Sequence, residues 1–305
     1  MGFVEPENVE DVGAGLTAQG YFASEGLATA MFLAMSLRRP LFLEGEPGVG
    51  KTELAKSLAT WTGGQLIRLQ CYEGLDAAQA VYEWDYTRQL LHLRTAEASG
   101  RASSTAEGEL EDELYDERFL VKRPLLQAVS EGHDVPPVLL IDEVDRADDE
   151  FEAFLLEVLS DYAVTVPEIG RFSADVPPRV IITSNRTRDV HDALKRRCLY
   201  HWVNHPDFEL EVTIVASRTT GACETLVRQV AAAAEEFRSV GLYKPPGVAE
   251  SIDWADALAR LGATELTADT IQATLGAVLK YREDQERVTD NDMAALIQRV
   301  MARAG

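Results

Sequence analysis

Between residues 23 and 205, short apolar runs bounded by polar or turn residues alternate with longer amphipathic stretches. The runs Leu41–Leu43, Leu66–Cys71, Val138–Ile141, Val180–Thr183 and Leu199–Val203 are apolar for most of their length, the pattern of strands buried on both faces. Stretches between them, such as Glu53-Leu54-Ala55-Lys56-Ser57-Leu58-Ala59, carry the helical period instead. This alternation predicts an α/β core of three layers, a parallel sheet with helices on both faces. After Pro206 the strand pattern stops. Leu226, Val230, Ala233 and Phe237 recur at helical spacing, as do Met293, Leu296, Ile297, Val300 and Met301, so an all-α domain is expected to follow. The expected division is 1–22 as an amino-terminal segment, 23–206 as the α/β core and 207–305 as the helical domain. Pro245-Pro246-Gly247 and Gly262-Ala263 break the helical region, and Thr267 and Thr289 are expected to cap its last two helices. Ser99–Glu117, with the acidic run Glu109-Leu110-Glu111-Asp112-Glu113, reads as a solvated loop.

Composition narrows the partners. The chain has 305 residues, enough for a sizeable core, and is 46% hydrophobic. Its formal net charge of −22 opposes a sequence-independent hold on DNA, RNA or an anionic membrane surface, so nucleic acid is not an expected partner. No run of about twenty apolar residues argues for membrane insertion, and Met1-Gly2-Phe3-Val4-Glu5 lacks the basic and apolar regions of a leader. Cys71, Cys198 and Cys223 are widely spaced and outside any C-x-x-C pair, which suggests neither a disulfide framework nor a thiolate metal site. A cytoplasmic protein is expected.

The chemistry begins at Gly45-Glu46-Pro47-Gly48-Val49-Gly50-Lys51-Thr52, a complete G-x-x-x-x-G-K-[ST] loop between an apolar run and the helix that opens through Glu53. Its glycines let backbone amides and the positive end of the helix face a polyphosphate. Lys51 would reach the β- and γ-phosphates of ATP, and the Thr52 hydroxyl would ligate Mg²⁺. Val138-Leu139-Leu140-Ile141-Asp142-Glu143 ends an apolar run on two carboxylates. Asp142 is expected in the metal shell and Glu143 beside the attacking water, which points to hydrolysis. Val180-Ile181-Ile182-Thr183-Ser184-Asn185 ends a third run on an amide that can align that water. Lys195-Arg196-Arg197 is a basic cluster in an acidic chain, and Arg197 is the preferred candidate to act in trans on the γ-phosphate bound by a neighbouring subunit, with Arg196 the other choice. His201 and His205 do not read as metal ligands, since a strand running into Pro206 does not put i and i+4 on one face.

Together, the phosphate loop, the Asp-Glu strand, the Asn strand and the Leu194-Lys195-Arg196-Arg197-Cys198 segment resemble the AAA+ ATPases. More narrowly, Pro40–Thr52, Leu69-Gln70-Cys71-Tyr72-Glu73-Gly74-Leu75-Asp76, Tyr82-Glu83-Trp84-Asp85-Tyr86 with Gln89-Leu90-Leu91, Ile252-Asp253-Trp254 and Lys280-Tyr281-Arg282-Glu283-Asp284 look like the MoxR family and its CoxD group. The resemblance implies a hexameric Mg²⁺-dependent ATPase, with residues 207–305 as its lid domain, acting as a chaperone in metalloenzyme maturation. The implied client is a molybdenum-containing carbon monoxide dehydrogenase or related hydroxylase, assisted by a von Willebrand factor A domain protein. One stretch departs from the pattern: Gly247-Val248-Ala249-Glu250-Ser251-Ile252 lacks the sensor arginine that many such lids carry. The same motifs also suit a subunit of a DNA-processing machine, or a nucleotide-switched binding module with little turnover.

Overall fold

The five apolar runs form one parallel sheet. In the computed structural model, which describes residues 5–99, 113–130, 132–290 and 292–305, they are β1 (Leu41–Glu44), β2 (Leu66–Gln70), β5 (Val138–Asp142), β8 (Arg179–Ser184) and β9 (Leu199–Trp202), in the spatial order β2-β5-β8-β1-β9. Most of the expected acidic loop, residues 100–112, lies outside the described residues. β5 is buried along its whole length and pairs in parallel with β2 and β8. A strand covered on both faces needs an unbroken apolar run, which Val138-Leu139-Leu140-Ile141 supplies. The sheet order puts the carboxyl ends of β5, β8 and β1 side by side, so whatever follows each strand gathers at one edge.

Helices α1 (Val9–Thr17) and α2 (Glu25–Leu37) precede β1, and α3 (Lys51–Thr62), α4 (Ala77–Val81), α5 (Tyr86–Ala98), α6 (Pro124–Val129), α7 (Asp149–Asp161) and α8 (Asp192–Arg197) fall between strands. Two small antiparallel pairs interrupt the alternation, β3 (Tyr82–Trp84) with β4 (Leu120–Lys122), and β6 (Ala163–Val166) with β7 (Gly170–Ser173). The apolar pattern predicts neither pair.

The chain divides into two compact units, one of residues 1–9, 29–43 and 58–201, the other of residues 10–28, 44–57 and 202–305. In the first, Leu139, Ile141, Val180 and Ile182 of the sheet pack with Leu125 and Leu126 of α6 and Leu155 and Val158 of α7. Full burial of each such aliphatic side chain contributes about 1.5–3 kcal/mol. The second contains α9 (Phe208–Arg218), α10 (Glu224–Ser239), α11 (Val248–Arg260), α12 (Ala268–Val278), α13 (Arg282–Asp290) and α14 (Met293–Ala304). Leu226, Val230, Ala233 and Phe237 face its core, where Phe237 stacks on Trp254 at 5.7 Å and the Trp254 indole donates to Thr274 Oγ1 at 2.7 Å. Thr267 caps α12, accepting from the Thr270 amide at 3.2 Å. Thr289 caps nothing: it sits inside the polar helix α13 and donates to the Gln285 carbonyl, while Asp292 caps α14. Helix α13 carries too few apolar residues to announce itself, so in sequence its end resembles a beginning. Among the described residues no helix is long and apolar enough to cross a membrane.

Candidate functional site

The phosphate loop belongs to the second unit and is built around its lysine. Helix α3 starts at Lys51, whose buried ammonium donates to the carbonyls of Gly45 at 2.7 Å and Glu46 at 2.8 Å. That pair of bonds curls the loop over the head of the helix. Gly45 has no alternative, because a Cβ there would stand 2.4 Å from the Val203 carbonyl oxygen. Gly48 has φ +80°, a conformation that side chains rarely adopt. Val49 is buried while Glu46 and Pro47 are exposed, and Thr52 occupies the first turn of α3. Glu53 turns outward into ion pairs with Lys56 at 3.1 Å and Arg218 at 2.9 Å. His205, in the same unit, is held neutral with its pKa lowered to about 4 by burial and then by Arg238 and Lys51.

The carboxylates belong to the first unit and are tightly arranged. Asp142 closes β5 at 3% exposure, and its two oxygens accept from the Thr183 hydroxyl at 2.6 Å and from the Arg68 guanidinium at 2.6 and 3.0 Å. Register explains the second partner, since Gln70 on β2 lies opposite Asp142 and Arg68 sits two residues earlier on the same face. Glu143 leaves the strand in the left-handed region, φ +56° and ψ +50°, an unfavourable backbone for a residue with a side chain. Its amide donates to Thr183 Oγ1 at 2.9 Å. Its carboxylate accepts from the Asn185 amide at 3.2 Å, the Gln70 amide at 3.0 Å and Arg146 at 3.3 Å. Asp142, Glu143 and Asn185 therefore form one hydrogen-bonded group at the carboxyl edge of the sheet. An acid fixed between two neutral amides is oriented without being neutralised, which suits a group that must polarise or accept a proton.

Sequence reasoning passed over four members of this group: Arg68, Gln70, Thr183 and Asp145. Asp145 is buried and accepts from the backbone amides of Asn185 at 3.1 Å and Thr187 at 2.9 Å and from the Thr187 hydroxyl at 2.7 Å. It thereby sets the turn that carries Asn185. Replacing it with alanine strands those donors, so Asp145→Ala is expected to lower stability by roughly 3 kcal/mol. A urea melt reads the shift, and an unchanged midpoint would contradict this role.

The basic cluster occupies α8 and is not joined to the carboxylate group. Lys195 lies over the Phe42 ring at 5.7 Å, Arg196 and Arg197 are exposed, and Arg197 hydrogen-bonds Ser160. The Arg39 guanidinium caps the helix end, donating to the carbonyls of Arg196 at 2.8 Å, Arg197 at 3.1 Å and Cys198 at 3.3 Å. Cys71 and Cys198 are pushed up to about 12 by burial, so neither is a nucleophile near neutral pH. For a cation, the groups at hand are oxygens: the Asp142 carboxylate in one unit and the Thr52 hydroxyl in the other. Among the described residues no group of three or more His, Cys, Asp or Glu side chains could hold a metal. Such a donor set fits Mg²⁺, which takes few protein oxygens and draws the rest of its shell from water and substrate phosphates.

A family model described as AAA domain (dynein-related subfamily) matches residues 40–198, just over half of the chain. The uncharacterized protein YehL of Escherichia coli K12 is 30% identical over 198 residues, covering 61% of this chain and 48% of that one. The uncharacterized protein SERP0979 of Staphylococcus epidermidis is 26% identical over 220 residues, 70% of this chain and 72% of that one. The chain thus spans about half the length of YehL. Among solved structures, the Thermotoga maritima RuvB Holliday junction branch migration motor is 14% identical with a TM-score of 0.45, covering 89% of this chain and 72% of that one.

Proposed function

The chain belongs to the AAA domain family, in its dynein-related subfamily, and on that premise we propose that it is an Mg²⁺-dependent ATP hydrolase that remodels another protein. The observation that carries this reading is the Glu143 carboxylate held between the Asn185 and Gln70 amides, next to Asp142 at the carboxyl edge of the sheet. A switch that only bound nucleotide would have no use for an acid so placed.

In the proposed reaction the amides of Gly48 to Thr52 and the Lys51 ammonium bind the phosphates of ATP. Thr52 and Asp142 would hold Mg²⁺, which supplies charge neutralisation on the β- and γ-phosphates. Glu143 takes a proton from water as its oxygen bonds to the γ-phosphorus, and Asn185 holds that water in line. The bond between the γ-phosphorus and the bridging oxygen breaks, leaving ADP and inorganic phosphate. Arg197 of a neighbouring copy in a hexameric ring stabilises the charge spread over the transferring group, a contribution of about 10³–10⁵ in rate for such arginines. The finer assignment is a MoxR-type chaperone of the CoxD group, working in the cytoplasm with a von Willebrand factor A domain protein on a molybdenum-containing hydroxylase. The residues quoted for that resemblance support it.

Mixing variants tests the ring. Lys51→Ala keeps its arginine and lacks a working loop, while Arg197→Ala has the reverse defect. Each alone is expected to release phosphate at background, and an equimolar mixture is expected to recover measurable turnover at mixed interfaces. A mixture that stays at background removes the trans-acting role of Arg197. For the client, co-expression of a carbon monoxide dehydrogenase-type apoenzyme with this chain is expected to raise the fraction that becomes active, and an equal fraction with and without it would dismiss that client.

A further inference from the structure

Helix α11 begins on the phosphate loop itself. Within the second unit, the Val248 amide donates to the Gly48 carbonyl at 3.1 Å. The two backbones meet so closely that a Cβ on Gly247 would stand 2.7 Å from Gly48 Cα, and one on Gly48 would stand 3.0 Å from Gly247 Cα. Glycine at both positions is what permits the contact. The same turn delivers Glu250: its Oε2 would be 2.9 Å from a Cβ on Gly48 and accepts from the Gly247 amide at 3.0 Å. A carboxylate therefore rests against the backbone that faces the polyphosphate, and it also offsets the positive helix end that would otherwise attract an anion there.

From this geometry we infer that Glu250 weakens nucleotide binding, its fixed negative charge opposing the phosphates in the loop and promoting release of ADP. The inference rests on the reading of the loop as an ATP site. Like charges at such separations interact appreciably in a half-buried setting, while water and salt reduce the effect at exposed ones. Half-buried between its own helix and the loop, Glu250 lies between these limits. Lys51 provides the opposing attraction, so affinity is set by a balance within the loop and its contact.

Glu250→Gln removes the charge and leaves an oxygen to accept from Gly247, so the helix cap survives. Titration of a fluorescent ADP analogue is expected to give about tenfold tighter binding for Gln than for wild type, with most of the gain in slower release. The gap is expected to narrow as salt rises from about 50 to about 500 mM. Glu250→Ala is expected to tighten binding as well, but with a lower melting temperature because the cap is lost. Equal affinity in wild type and Gln makes Glu250 a helix cap and nothing else, and weaker affinity in Gln makes it a ligand of the nucleotide; either result overturns the inference while the ATP site stands. Absence of ADP binding by wild type, Gln and Ala alike would bring down the ATP reading itself.

Discussion

Glu143→Gln is expected to bind ATP as wild type does and to release phosphate about 10²–10⁴-fold more slowly, the range associated with loss of a positioned general base. The substitution keeps the length and shape of the side chain and needs no change in the left-handed backbone at φ +56°. It alters what the group can do. Glu143 accepts through one oxygen from Asn185 and through the other from Gln70, and a glutamine offers an acceptor to only one of those amides. More decisively, it has no basic oxygen to receive a proton from water. Binding and chemistry should separate cleanly, with fluorescent-nucleotide affinity retained and steady-state phosphate release lost. Normal turnover in this variant would remove Glu143 from the mechanism, and with it the case for hydrolysis.

Lys51→Ala is expected to fail earlier, at binding. The ammonium is buried and bonds two carbonyls of its own loop, so its removal takes away both the cation for the phosphates and the clasp that shapes the loop. Truncating one partner of a buried charged hydrogen-bond set costs about 2–5 kcal/mol, which corresponds to a loss of roughly two or more orders of magnitude in affinity. Calorimetric titration with ATP reads this directly. Lys51→Arg keeps the charge but carries a planar fork that does not fit a point between two converging carbonyls, so partial loss is expected. Affinity unchanged in Lys51→Ala would mean that the loop does not grip phosphate.

The sheet is legible in sequence because burial on both faces demands uninterrupted apolar runs, and Leu41-Phe42-Leu43 and Val138-Leu139-Leu140-Ile141 meet that demand without help from the rest of the chain. Motif residues are legible for a related reason: Gly45, Lys51 and Thr52 act within one short segment, so their chemistry shows in spacing alone. Arg68 and Gln70 are different. They reach Asp142 and Glu143 only because β2 pairs with β5 in one register, and register is a property of two strands. Asp145 looks like one more acid after a strand until its partners on the turn following β8 are in place. The antiparallel pair β6 and β7 is short and only partly buried, too weak a pattern to stand out. Glu250 shows in sequence only as part of a stretch without an arginine; its own contact with Gly48 requires residues two hundred positions apart to meet.

Arg39 has a mechanical meaning. It stands immediately before Pro40, at the root of the strand that enters the phosphate loop, and its single planar guanidinium grips three successive carbonyls under the arginine pair. A flexible ammonium could not span that arc, so strand and turn are coupled as a lever is to its fulcrum. Any displacement of β1 along its axis must be passed to Arg196 and Arg197, and a force applied to those arginines from outside must be felt at β1.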